Sequence, residues 1–183
     1  AFLEQAHALL RPSGRLGYIV PSGLYSDHGT GGLRKLFLDH CQWEWLFGFI
    51  NWDGIFPSIY YRFKFNAVIV RKGGATEAIY TAFVRTQLGD WDRAEDFATP
   101  YARAQVDRFS PHSKTILEIQ SARDLEILEK IYANSVFLGD QGSGGWRIKY
   151  AREFDMTNDS KLFPPRPKWE AQGYRADEYS RWL

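Results

Sequence analysis

Apolar residues at Phe2, Ala6, Leu9 and Leu10 recur at helical spacing, and Arg11-Pro12-Ser13-Gly14 ends the run, because proline and glycine do not continue a helix. Residues 16–20 (LGYIV) then form an unbroken apolar stretch closed by Pro21-Ser22-Gly23. Such a run predicts a short strand buried on both faces in the middle of a parallel sheet. Residues 33–41 (LRKLFLDHC) place Leu33, Leu36 and Phe37 on one helical face and Arg34, Lys35 and Asp39 on the other, the pattern of an amphipathic surface helix. Residues 43–50 (WEWLFGFI) and 65–70 (FNAVIV) predict two further strands flanking a loop centred on 51–57. Lys72-Gly73-Gly74 supplies a turn into 77–85 (EAIYTAFVR), whose alternation supports another strand. A direct strand-to-strand connection in place of a helical crossover predicts that the last strand pairs antiparallel.

Beyond residue 86 the pattern weakens. Residues 87–115 are polar and broken by Pro100 and Pro111, which reads as a linker or a set of short elements. A firmer helix is predicted at 121–134, with Ser121 or Asp124 as its cap and Leu125, Leu128, Ile131 and Tyr132 at helical spacing. The glycines of 142–145 (GSGG) form a hinge before 146–150 (WRIKY), whose alternation predicts a strand opening a new subdomain. The expected organisation is an α/β unit over 1–86, a linker over 87–141 carrying the helix at about 121–134, and a third region over 142–183. The chain opens at Ala1 directly in helical periodicity and ends amid aromatic and charged residues, so both ends are expected to be cut.

At 183 residues with 44% hydrophobic content, the chain can bury a core for one domain or one and a half. A formal net charge of +1 provides no global basic field, so any contact with nucleic acid must come from local clusters. The single cysteine, Cys41, forbids an internal disulfide and a cysteine-rich zinc cluster; a buried thiol in a reducing cytoplasm is expected. There is no long apolar span and no basic-then-apolar leader, which predicts a soluble protein without membrane contact. His7, His28, His40 and His112 lack metal-ligand spacing, and neither a nucleophile elbow nor a P-loop occurs, so no metal site or hydrolase site is expected. The run from Gly29 to Gly32 reads either as a phosphate cradle at the helix after it or as a plain flexible loop.

The ordered segments LEQAHALLRPSGRLGYIVPSGL, GGLRKLFLDHC, GIFP and FKFNAVIVRKGG closely resemble the stretch downstream of the catalytic motif in amino-methyltransferases of the Taq type. WRIKY and REFDMTNDSKLF resemble the region joining catalytic and target-recognition domains in single-chain type IIG restriction-modification enzymes and BREX-type methylases. This resemblance spans nearly the whole chain. The fold it implies is α/β: the C-terminal half of a class I, Rossmann-like methyltransferase sheet ending in an antiparallel hairpin, then a helical linker and the start of a target-recognition region. The activity it implies is methyl transfer from S-adenosylmethionine to the N6 of adenine in double-stranded DNA, with the base swung out of the helix. The family's glycine-rich cofactor loop and its Asn-Pro-Pro-aromatic motif are not found in this sequence. Both lie upstream in the family's order, so catalysis is expected to need a preceding part of the same polypeptide. A DNA-recognition module working beside a separate catalytic subunit is the alternative, and a methyltransferase-like fold acting on protein or small molecules is a third.

One family role maps onto this chain. The aromatic before proline in the loop ahead of the hairpin packs against the flipped adenine, and Phe56 of GIFPSI matches it; Phe56 as a plug at the end of the sheet is the competing reading. The loop carries an Ile59-Tyr60-Tyr61 insertion relative to the family form, which makes Tyr60 or Tyr61 an alternative stacking ring. Arg62 and Lys64 alternate with aromatics, as on a DNA-facing hairpin or on a solvated strand face. Arg147 and Lys149 alternate with Trp146, Ile148 and Tyr150, and serve either a DNA groove or ion pairs with Glu153, Asp155 and Asp159.

Overall fold

The first periodic run forms α1 (Phe2–Leu9), closed where the Lys72 ammonium reaches the His7 and Leu10 carbonyls at 2.9 and 2.8 Å. A cation there satisfies acceptors that the helix leaves open. In the next turn, Ser13 takes the left-handed position at φ 60, and a Cβ on Gly14 would lie 2.9 Å from the Arg11 carbonyl oxygen. The computed structural model describes residues 2–138, 146, 148 and 151–181. They fall into two units, Ala1–Ser135 and Val136–Leu183.

In the first unit the chain continues through β1 (Arg15–Pro21), α2 (Gly23–Ser26), a 3-10 turn at His28–Thr30, α3 (Gly31–His40) and β2 (Cys41–Ile50). It proceeds through β3 (Lys64–Lys72), β4 (Ala78–Arg85), α4 (Ala94–Phe97), β5 (Thr99–Ala102), α5 (Arg103–Phe109) and α6 (Ala122–Ala133). The five strands lie in the order β1-β3-β2-β4-β5. β3 sits between β1 and β2 and is antiparallel to both; β4 runs parallel to β2, and β5 antiparallel to β4. The result is a mixed α/β unit with a mostly antiparallel sheet in which β1, β2 and β4 point the same way.

The main core lies on one face of the sheet, where Trp43, Leu46, Val68, Val70, Ile79 and Tyr101 meet Phe37 and Leu38 of α3, Val106 and Phe109 of α5, and Leu125 of α6. A smaller cluster of Phe47, Phe49, Phe65 and Ala82 occupies the opposite face beneath Ala94 and Phe97. The run WEWLFGFI is apolar throughout because β2 serves both clusters. A bulge between Trp43 and Trp45 resets its alternation, turning Trp43 onto Phe37 and Trp45 onto Tyr80, with ring centroids 5.6 and 5.2 Å apart. Thr76 closes the end of α3: its hydroxyl oxygen lies 2.9 Å from the Phe37 carbonyl and 2.8 Å from that of Cys41, and accepts the Trp43 amide. Cys41 is buried, and that burial raises its thiol pKa.

Four expectations change. Residues 77–85 do not pair antiparallel in a hairpin with 65–70: β4 lies parallel to β2, which separates it from β3, because Thr76, bonded to the Leu38 carbonyl and the Trp43 amide, carries the connection across β2. LGYIV forms a strand but not a central parallel one: β1 is an edge whose sole partner among the described residues is the antiparallel β3, leaving Ile19 62% exposed. A β-branched run predicts an extended backbone but cannot count the strands that will flank it. Arg34, placed on the solvent face of the amphipathic helix, is fully buried on α3. The stretch after residue 86 is structural rather than a spacer, since β5 extends the sheet and Tyr101, Val106, Phe109, Ile116 and Ile119 enter the main core. α6 starts where Ser121 was expected to cap it, with Asp124 completing a reciprocal capping box.

Gly48 lies opposite Asn66 in the β2–β3 ladder, and a Cβ there would stand 3.0 Å from Asn66 Oδ1 and 3.1 Å from the Phe83 ring. Both neighbours are buried, so the strain cannot be relieved toward solvent. Gly48→Ala should destabilise the first unit by about 1–3 kcal/mol, the usual range for overpacking, read as a lower midpoint in urea. An unchanged midpoint would show that Asn66 and Phe83 yield freely.

In the second unit, α7 (Arg166–Ala171) leads to Tyr174, whose ring packs edge-on against Trp169 at 5.0 Å. Phe154 and Phe163 make a similar contact at 5.6 Å. The Asp155 carboxylate accepts the amides of Thr157 and Asn158 and pairs with Arg152. The expected hinge at 142–145 lies outside the described residues. Of the expected strand at 146–150, Trp146 forms an isolated parallel bridge with Leu138, and Arg147, Lys149 and Tyr150 lie outside the described residues. No helix among the described residues is long and apolar enough to cross a membrane.

Candidate nucleic-acid interface

Because β1, β2 and β4 share a direction, their carboxyl ends meet along one rim, where Pro21 pairs with Phe65, Ile50 with Lys64 and Phe49 with Arg85. The loop 51–63 crosses this rim between β2 and β3, so the GIFP turn sits at the end of the sheet. Asn51 organises it. Its side chain is fully buried; Nδ2 donates to the Phe56 and Ile59 carbonyls, each at 2.9 Å, and Oδ1 accepts the Phe56 amide at 2.8 Å. The base of the loop is tied by the Asn51 amide donating to the Phe63 carbonyl at 2.9 Å, and its outer arm by Asp53 bonding Gln87. Gly54 supplies the left-handed residue at φ 68 that ends the first turn of the loop.

This clasp sorts the loop's rings into two sets. Phe56 rests edge-on against Phe65, centroids 4.9 Å apart at 76°, and is 37% exposed; it both plugs the sheet end and keeps part of its ring at the surface. Tyr60 is 63% exposed and Trp52 57%, and both touch Tyr61, at 4.7 and 5.4 Å. Arg62 is exposed with its guanidinium 5.2 Å from the Tyr61 ring centre.

Lys64 differs from Arg62. Its ammonium lies 2.8 and 2.6 Å from the two oxygens of Glu118, and the Tyr25 hydroxyl donates to the same carboxylate at 2.5 Å. Burial, then the neighbouring carboxylate, hold the Tyr25 phenol well above its ordinary pKa, so it remains a donor. The alternation of Arg62 and Lys64 therefore does not produce two equivalent cations: one is uncommitted to any carboxylate among the described residues, the other neutralised.

Glu118 reaches this rim because of Arg34. The Arg34 guanidinium donates to the carbonyls of Leu24 at 2.9 Å, Asp27 at 2.8 Å and Ser113 at 3.0 and 2.8 Å, and to the Thr30 hydroxyl oxygen at 2.7 Å. It thereby fastens residues 22–30, which come directly after β1, to the strip at 113–119, where the Ile116 amide also donates to the Tyr25 carbonyl at 3.1 Å. Burial lowers the Arg34 pKa and the Asp27 charge opposes that shift; a guanidinium remains protonated regardless. The glycines at 29–32 form a 3-10 turn and the first turn of α3, and Thr30 directs its hydroxyl into the same group of carbonyls. The Thr30 hydroxyl and the Arg34 guanidinium are thereby engaged with one another and with these carbonyls.

Asn51, Arg34, Glu118 and Tyr25 were not legible as site residues. Asn51 at the strand's end carried a turn signal at most, and Glu118 lies 54 residues from Lys64 in sequence. In the second unit Trp146 is 64% exposed, and Asp155, a proposed partner for Arg147 or Lys149, is paired with Arg152.

No protein-family model matches the chain, and no curated protein does. Among solved structures it is similar to a modification subunit of a putative type I restriction enzyme from Vibrio vulnificus YJ016, with a TM-score of 0.51 at 17% identity over 70% of this chain. Similarity is also found to the M protein of the type I restriction enzyme EcoKI, with a TM-score of 0.40 at 21% identity over 45% of this chain. A chain from a structure of a type I R-M system gives 0.39 at 14% identity over 89% of this chain. The chain spans 18%, 33% and 34% of the EcoKI, Vibrio and R-M system chains respectively. The likeness to the Vibrio subunit shows a shared fold over the aligned portion.

Proposed function

We propose that this chain is part of an S-adenosylmethionine-dependent DNA adenine-N6 methyltransferase of a restriction-modification or phage-defence system, of the single-chain type IIG or BREX kind. The observation that carries this reading is the Asn51-clasped loop presenting Phe56 at the carboxyl rim of the sheet. The rim is where open α/β sheets bind their ligands, and the fold is shared with a restriction-enzyme modification subunit.

On this reading residues 1–86 supply the second half of a catalytic sheet, 87–141 extend and brace it, and 142–183 begin a target-recognition region. Phe56, with Tyr60 beside it, stacks on the extruded adenine. Such stacking is worth about 1–3 kcal/mol per base, which offsets part of the cost of unstacking it from the duplex. Contacts to double-stranded DNA are assigned to Arg62 in the first unit, with Lys64 when a phosphate replaces Glu118 as its partner, and separately to Trp146, Arg147 and Lys149 in the second. The glycine-rich cofactor loop that the resemblance implies has no counterpart in this sequence. S-adenosylmethionine is accordingly assigned to a preceding part of the same polypeptide, and the chain by itself is inactive.

The test is methyl transfer from labelled S-adenosylmethionine to adenine-containing duplexes by the whole polypeptide. Phe56→Ala should lower turnover by roughly five- to a hundredfold, the kinetic equivalent of one lost stacking contact. Undiminished methylation by the variant would remove Phe56 from the site. An absence of transfer by the whole wild-type polypeptide would remove the reading itself.

A further inference from the structure

The outer half of the rim loop forms a second surface, apart from Phe56. Trp52 and Tyr61 meet edge to face at 5.4 Å and 71°, and Tyr60 packs against Tyr61 at 4.7 Å. More than a third of each of these three residues remains exposed, although the side chains lie on a short loop pinned at both ends. Large rings held in water on a fixed backbone leave apolar area that folding does not bury. Beside them stands Arg62, spread over the Tyr61 ring and without an ion pair among the described residues, while nearby Asp53 is engaged by Gln87.

We propose that Trp52, Tyr61 and Arg62 form a second nucleobase-stacking site, which takes an unpaired base and its phosphate from a DNA strand. The ligand needs a flat π-face for the rings and a negative charge for the guanidinium, and a nucleotide carries both. The choice of DNA rests on the function proposed above; the existence of the surface does not. Phe56 cannot serve this site as it stands, because Asn51 holds it inward on Phe65. The loop thus offers an inner ring and an outer pair of rings, able to hold two bases at once.

Anisotropy of a fluorescein-labelled single-stranded oligodeoxynucleotide, titrated with the full chain without cofactor, tests this assignment. Wild type should bind the oligonucleotide at least tenfold more tightly than an abasic strand of equal length and charge. Trp52→Ala combined with Tyr61→Ala should remove most of that difference, while Arg62→Gln should weaken both strands and flatten the salt dependence. Near-ultraviolet circular dichroism and the urea midpoint check that the variants fold; Trp52→Phe, which keeps a ring, should retain most of the affinity. Equal binding of abasic and normal strands, or undiminished binding by the folded double variant, overturns the proposal and leaves the rings to a protein partner. Methyl transfer is not read here, so stacking without methylation would refute the methylase reading alone, and methylation without stacking would refute this site alone.

Discussion

Replacing Arg34 by methionine should destabilise the first unit by about 3–5 kcal/mol, because several hydrogen bonds from a charged donor are lost together, each contributing about 1.5–3 kcal/mol before the gain from no longer burying the charge. Methionine keeps most of the aliphatic volume, so packing changes little and the loss is polar. The buried guanidinium makes five hydrogen bonds; without it the Ser113 carbonyl loses both of its bonds from Arg34, and those of Leu24 and Asp27 are left to share the Thr30 hydroxyl. An unsatisfied buried acceptor costs about 1–3 kcal/mol, which outweighs the gain from no longer burying a charge. Urea denaturation of wild type and variant measures the total. Hydrogen exchange should localise the effect, with the Ile116 amide, bonded to the Tyr25 carbonyl, losing protection first. A loss below about 1 kcal/mol would mean that water or a shifted loop replaces the guanidinium.

Trp43→Ala is expected to cost about 3–5 kcal/mol. The indole is fully buried, lies edge-on to Phe37, and donates from Nε1 to the Trp45 carbonyl at 3.0 Å. Its neighbours Leu46, Val68 and Val70 belong to strands fixed by their ladders, so the cavity cannot collapse. Trp43→Phe should recover about half of the loss, since it restores most of the volume but not the hydrogen bond. Thermal and urea unfolding of the pair separate these contributions; an alanine variant as stable as the phenylalanine variant would show the cavity to be filled by rearrangement.

Much of the element order was legible because periodicity is a local property. α1, α3 and α6 repeat their apolar residues at helical spacing, and β2, β3 and β4 are apolar or alternating runs bounded by turns. What was not legible depended on distant partners. Arg34 reads as solvent-facing from its own helix, because the carbonyl of Ser113 that it satisfies lies 79 residues away. β5, only four residues long with Pro100 inside it, carries little strand signal and exists because β4 offers it an edge. The bulge that points Trp43 and Trp45 to opposite faces cannot be read from a continuous apolar run. At the rim the sequence marked Phe56 and Tyr60 through family resemblance, yet it assigned Lys64 and Arg62 equal weight. Glu118 distinguishes them, and nothing local to the hairpin announces Glu118.

The position of β3 also dictates when the sheet can close. β1 and β2 have no ladder with each other, because the strand that joins them is made after both. A nascent chain that has emerged only as far as Ile50 therefore holds two apolar strands with no common neighbour, and each presents open edges to other chains. Closure waits for the ribosome to release Lys72, and interrupting synthesis between these points should yield the most aggregation-prone intermediates.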